Sequence, residues 1–267
     1  MKRDVSAHLD IGITAPTTLE FQLAVAGQPG LELTESLVFE LDGRTIWPQE
    51  ISGPHGTRIH KFATGAGNLR VHYNATVFGV ANPETASDYD IAVYLRPSRF
   101  AECDKLFGFA AAEFDGNAAP AELAAAVTGW VRRRLSYVAG SSDPIDGAVE
   151  TLLCGAGVCR DFSHLVVALL RAVKVPARVV AVYAPGLYPM DFHAVAEAYI
   201  DGVWRVFDAT GLAPRSSLVR IATGRDASDT AFMDNHGGEV FVNSMWVNAI
   251  IDGFLPFDNG VDPVSIV

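Results

Sequence analysis

Positive charge is scarce in this chain of 267 residues: 20 Lys plus Arg stand against 31 Asp plus Glu, a net charge of -11. A surface of that sign repels phosphate backbones and anionic lipid, so neither nucleic acid nor a membrane is an expected partner. Long apolar runs are missing too. No uninterrupted stretch of about 18 apolar residues occurs, and Asp4 and Asp10 break the opening MKRDVSAHLDIGI where a signal peptide needs its apolar segment. The expected location is cytoplasmic. Cysteine is sparse, and Cys103, Cys154 and Cys159 are an odd number at spacings that match no disulfide framework, which predicts a reducing compartment and at least one free thiol.

What is present is a 49% hydrophobic content, enough to bury a sizeable core, in a length that suits two modest domains. Residues 1–97 read as a β-rich first domain. Short apolar stretches alternate there with turn signals at Pro29-Gly30, Asp42-Gly43, Gly53 to Gly56, Gly65 to Asn68 and Asn82-Pro83. Leu69, Val71, Tyr73, Ala75 and Val77 alternate with polar residues, the period of a strand with one dry face. His8, His55, His60 and His72 in this region are expected to be solvated strand or loop residues.

Residues 98–267 read as a second, α+β domain. Helices are expected near Phe107 to Glu113, from Pro120 to about Tyr137, and from Val158 to Val173, where Phe162, Leu165, Val166, Leu169, Leu170 and Val173 form one apolar stripe. Antiparallel strands follow at 177–184, 193–200, 203–208 and 218–223. The apolar stretch Val240 to Ile251 is either a closing strand of this domain or a strand returning to the first. The run Arg132 to Arg134 is expected on a solvated helix face.

Cys159 follows Gly155-Ala156-Gly157-Val158 and opens the long helix. Free N–H groups and the positive dipole end at a helix start favour a thiolate and can donate to an oxyanion. A thiol nucleophile needs a base. His164 lies five residues on, about 140° around the helix, and is expected to be a packed histidine. His193 opens a strand that leads through the hairpin signal Asp201-Gly202 to Asp208. A two-residue turn makes residues whose numbers sum to 403 face each other, so His193 and Asp208 become diagonal neighbours on one face. A three-residue loop would separate them. Cys159 as nucleophile, His193 as base and Asp208 as its orienting carboxylate form the candidate catalytic set.

The segments Gly157-Val158-Cys159-Arg160-Asp161-Phe162, Val175-Pro176-Ala177-Arg178, Asp191-Phe192-His193-Ala194 and Phe207-Asp208-Ala209-Thr210 resemble the bacterial transglutaminase-like proteins, which share a core with papain-type cysteine proteases. The resemblance covers about residues 120–225 and implies the triad Cys159, His193 and Asp208. The β-rich first hundred residues resemble the amino-terminal region of the same proteins, so the implied architecture is a β-sandwich-like domain followed by a transglutaminase-like α+β core. Phe192 before the histidine and Ala209 after the aspartate depart from the commonest pattern. Tyr137 matches an aromatic position that lines the oxyanion site or is an ordinary core tyrosine. Arg160 and Asp161 flank the nucleophile as substrate or oxyanion candidates, with a helix-start role favoured for Asp161. Asp226 and Asp229 shape the cleft or cap a helix, capping being the default.

The expected activity is amide hydrolysis or acyl transfer on a peptide or protein amide through a thioester, with no cofactor and no metal; a homo-oligomer is left open. Hydrolysis is favoured because no acidic calcium loop is found. A zinc site from Cys154, Cys159, His164 and His193 has the wrong ligand spacing. The Arg-Gly-Gly-x-Cys segment of arylamine N-acetyltransferases is lacking. The remaining alternative is a peptide-binding module that keeps the fold without turnover.

Overall fold

The computed structural model describes residues 1–266. The first third supplies β1 (Lys2–Ile13), β2 (Thr17–Phe21), β3 (Leu31–Leu41), β4 (Arg44–Ile46), β5 (Gln49–Ser52), β6 (Arg58–Thr64) and β7 (Gly67–Gly79). Then come α1 (Asp88–Val93), α2 (Cys103–Glu113), α3 (Pro120–Arg134), β8 (Ser136–Tyr137), α4 (Ala148–Cys154), β9 (Ala156–Gly157) and α5 (Cys159–Ala172). The chain closes with β10 (Ala177–Tyr183), β11 (Phe192–Ile200), β12 (Val203–Phe207), β13 (Val219–Gly224), α6 (Ala227–Thr230), β14 (Met233–His236) and β15 (Val240–Ile251).

Two sheets, ordered β15-β1-β7-β3-β4 and β14-β2-β6-β5, form the sandwich. Its core comes from alternation: Leu69, Val71, Tyr73, Ala75 and Val77 of β7 and Val5, Ala7, Leu9 and Ile11 of β1 are buried, and Phe21, Phe39 and Phe62 meet them. The stretch left open above returns to this sandwich. β15 pairs with β1 and β14 with β2, so residues 233–251 complete sheets begun by residues 1–97 rather than staying with the second expected domain. α1 was not expected. It is fixed by Ser87, whose Oγ accepts the Asp90 N–H while the Asp90 carboxylate accepts the Ser87 N–H.

The third sheet, β12-β11-β10-β13, is antiparallel throughout and carries α5 against it. Residues 161–171 of α5 are buried on every side, because α2, α3 and α4 cover the face that the sheet does not. Ala177, Ala196 and Ala198 on the sheet leave room for Leu165, Val166, Leu169 and Leu170, each worth about 1.5–3 kcal/mol on burial. α3 stops at Arg134, short of Tyr137, because Ser136 and Tyr137 leave the helix to pair in parallel with Ala156 and Gly157.

A buried ionic network ties this sheet to the sandwich. The Glu197 carboxylate of β11 receives Arg178 of β10 and Arg220 of β13 at 2.6–2.8 Å. Burial opposes its charge, but Arg220 and Arg178 outweigh burial and hold the carboxyl below its usual range. Arg178 also reaches Glu84 at 2.6 Å and lies 3.9 Å over the Trp204 ring, and Glu84 binds His55, whose Nε2 meets the Tyr94 hydroxyl at 2.8 Å. The His55 side chain is therefore only 6% exposed and His60 is buried, rather than both being solvated, since Glu84 and Glu50 supply their partners.

Glu197→Ala is expected to destabilise the protein by about 3–5 kcal/mol, because two arginines lose their shared buried partner. Urea unfolding followed by circular dichroism measures it. A cost within 0.5 kcal/mol, the range of a neutral surface change, contradicts this role.

Candidate active site

Cys159 is the first residue of α5, and the turn before it is held from within. The Asp161 carboxylate accepts the Val158 N–H at 2.8 Å and the Ser142 hydroxyl at 2.9 Å. Gly157 is bare because a Cβ there would sit 2.7 Å from the Asp161 Cβ. Arg160 donates to Ser142 Oγ at 2.6 Å and to the carbonyl of Asp143, and pairs with Asp161 at 3.2 Å. Both flanking candidates thus fasten the 142–144 loop to the helix start. Ser142, absent from the candidates above, joins them through contacts that no local pattern signals.

The candidate base and its partner come from the β11–β12 hairpin. Asp201 and Gly202 have φ of 52° and 81°, the two positive values of a type I′ turn. Ile200 faces Val203 and Ala196 faces Phe207, the register in which opposed numbers sum to 403. Asp208 follows the last paired residue, and His193 Nε2 lies 2.8 Å from its Oδ2. The other oxygen, Oδ1, accepts the Thr210 N–H at 2.8 Å and the Thr210 hydroxyl at 2.6 Å. Thr210 is the positioning residue that the sequence pattern did not single out.

With Nε2 occupied, His193 keeps one ring nitrogen. Nδ1 is buried and makes no hydrogen bond of ordinary geometry, while Cys159 lies close enough to bear on the ring's charge. Burial pushes the His193 pKa down; the charge and hydrogen bond of Asp208, and then Cys159, push it further up, to about 10. Asp208 is buried as well, yet the imidazolium and Thr210 hold its carboxyl below the usual range.

Tyr137 is 46% exposed and is not a core residue. Its pairing with Gly157 brings the hydroxyl beside the backbone N–H of Cys159. Burial of the hydroxyl and the neighbouring Cys159 push its pKa to about 12 despite that N–H. Asp191, just ahead of β11, has its carboxyl raised by burial. His164 lies elsewhere, stacked 5.3 Å from the Phe100 ring and accepting the Ala227 N–H, with burial holding its pKa down at about 3. Asp226 caps α6 through the Ser228 N–H, and Asp229 binds Arg225. Cys103 is buried, Cys154 exposed and Cys159 partly exposed, all as free thiols. A cavity of about 730 Å³ lined by Glu20, His55, Tyr94, Arg225 and Asp229 contains no triad candidate.

A histidine whose folded pKa is about 10 lies above the ordinary 6.5, so its charge stabilises the fold fully below about pH 6.5 and ceases to do so as pH rises through 10. In Asp208→Asn the leading raising influence is gone. The His193 ring, followed by NMR, is then expected to titrate at least one pH unit lower; an unchanged titration contradicts the assignment.

The transglutaminase-like superfamily model matches residues 109–209. A crystal structure from Cytophaga hutchinsonii, whose name assigns it provisionally to the cysteine proteases, is 33% identical with a TM-score of 0.87, covering 98% of this chain and 96% of that one. An uncharacterized protein of Mycobacterium leprae strain TN is 27% identical over 126 residues, 43% of this chain and 44% of its own, so the chain matches less than half the length of that relative. The matched segment carries α5, β10, β11 and β12 together with Cys159, His193 and Asp208, and the likeness in fold spans nearly the whole chain: it belongs to the transglutaminase-like superfamily.

Proposed function

We propose that this protein is a cysteine-dependent amide hydrolase or acyl transferase, with Cys159, His193 and Asp208 as its triad and a peptide or side-chain amide as substrate. The reading rests on one observation above all, the 2.8 Å pairing of His193 Nε2 with Asp208, which reserves Nδ1 for the thiol side of the ring. The cysteine protease name carried by the 33% identical relative agrees with it.

In this mechanism the Cys159 thiolate attacks the amide carbonyl carbon, and the N–H groups at the start of α5, with the Tyr137 hydroxyl beside them, receive the oxyanion. The C–N bond then breaks while His193 Nδ1 gives its proton to the departing amine, leaving a thioester on Cys159. Neutral His193 next takes a proton from water as it attacks. The S–C bond breaks, the acid leaves, and the thiolate and imidazolium are restored. A second amine in place of water completes transfer instead. Hydrolysis is the favoured outcome, because no acidic calcium loop of the kind used by large animal transglutaminases is found in the sequence.

Mass spectrometry of glutamine-containing peptides incubated with the full chain tests this. Shorter fragments mark cleavage, conversion of glutamine to glutamate marks deamidation, and joined peptides mark transfer. Wild type is expected to give one of these and Cys159→Ala none, while Asp208→Asn keeps the fold and slows kcat by roughly a thousandfold or more. Inert wild-type protein across a broad peptide set transfers the site to a non-catalytic peptide-binding role.

A further inference from the structure

The sandwich has one edge unlike its others. β4, β5 and β14 at the remaining edges are three or four residues long, the usual way of blunting an edge. β15 is twelve residues long and, among the described residues, pairs with β1 on one side only. It carries no charged residue and no proline, and residues 241–246 are exposed on both faces of the strand. Phe241 is 55% exposed, Trp246 54% and Ile250 51%, and Val242 and Met245 are exposed as well. A strand so long, apolar and uncharged is what edges are normally built to avoid.

We propose that β15 pairs with β15 of a second copy of this chain, joining two five-stranded sheets into one. An antiparallel edge is self-complementary under a two-fold axis perpendicular to the sheet. The uncharged composition of β15 makes it the place where a second copy can approach. At a net charge of -11, two copies repel over most of their surface, and Val240–Ile251 offers a contact free of ionised groups. Of the two β1 acids paired with this strand, Asp10 accepts from Asn243 at 2.9 Å and Asp4 from the Thr76 hydroxyl at 2.6 Å.

The register follows from the bulge. β1 pairs Gly12 with Phe241 and His8 with Trp246, and the extra residue Asn243 keeps both aromatic side chains on one face. A two-fold axis between Asn243 and Ser244 then sets Phe241 of one copy opposite Trp246 of the other, twice over, as cross-strand aromatic pairs. At about 200 Å² for a fully exposed large side chain, the four exposed apolar side chains inside the paired span, Phe241, Val242, Met245 and Trp246, contribute roughly 375 Å² per copy. Main chain and flanking residues bring the total for two copies toward the ~1,200 Å² at which stable interfaces begin.

Sedimentation velocity of the full chain at micromolar concentration is expected to give twice the chain mass, and Phe241→Lys/Trp246→Lys, which sets lysines opposite each other, a single chain mass with unchanged circular dichroism. Amide hydrogen exchange at residues 241–246 is expected to slow at least tenfold in the wild-type dimer relative to the variant. A monomeric wild type overturns the proposal, as does a dimer with unprotected 241–246 amides or one that the lysine variant retains. Protection of a monomer's 241–246 amides only on adding an extended peptide also overturns it, assigning the edge to a peptide instead.

Discussion

Two consecutive residues with positive φ, Asp201 and Gly202, set the geometry on which the candidate site depends. Side chains alternate along a strand with a period of two, so a slip of one residue in the β11–β12 hairpin would carry Asp208 to the face away from His193. The type I′ turn removes that freedom, and Thr210 then orients the carboxylate so that one oxygen is saturated and the other meets the ring. The helix bearing Cys159 is brought to the same hairpin through packing on Ala196 and Ala198, residues small enough to let it approach.

This sheet carries buried charge pairs as well as apolar packing. β11 carries His193 and Glu197 four residues apart, and both are nearly fully buried with countercharges. The strand that presents His193 is thus the strand that anchors Arg178 and, through Arg178, the Glu84 and His55 of the sandwich side. Each buried charge is acceptable only because another element supplies its partner. This makes the sandwich part of the site's support rather than an appendage.

Sequence pattern read well where contacts are local or periodic. The alternation in β7, the apolar stripe of α5 and the Asp201-Gly202 hairpin all depend on residues close in the chain, and all were legible. His193 and Asp208 were legible for the same reason, with a turn of known length between them. Contacts made at a distance were not. The burial of His55 depends on Glu84 and Arg178, and the tie of Arg160 to Ser142 depends on a loop whose path no periodicity encodes. α1 escaped notice because six residues are too few for a helical period, so that only its capping residues gave a signal. Tyr137 left its helix for a two-residue parallel pairing that has no sequence signature.

The pairing of β1 with β15 joins residues 2–13 to residues 240–251, nearly the two ends of the chain. On the ribosome, which releases the amino end first, β7 is available early to cover one side of β1, while its other side stays bare until residues 240–251 have emerged. The hairpin and helix of the candidate site, built from neighbours in sequence, can assemble in that interval. Completion of the sandwich therefore waits for residues 240–251, and a chain cut short before residue 240 would leave β1 as an unprotected edge.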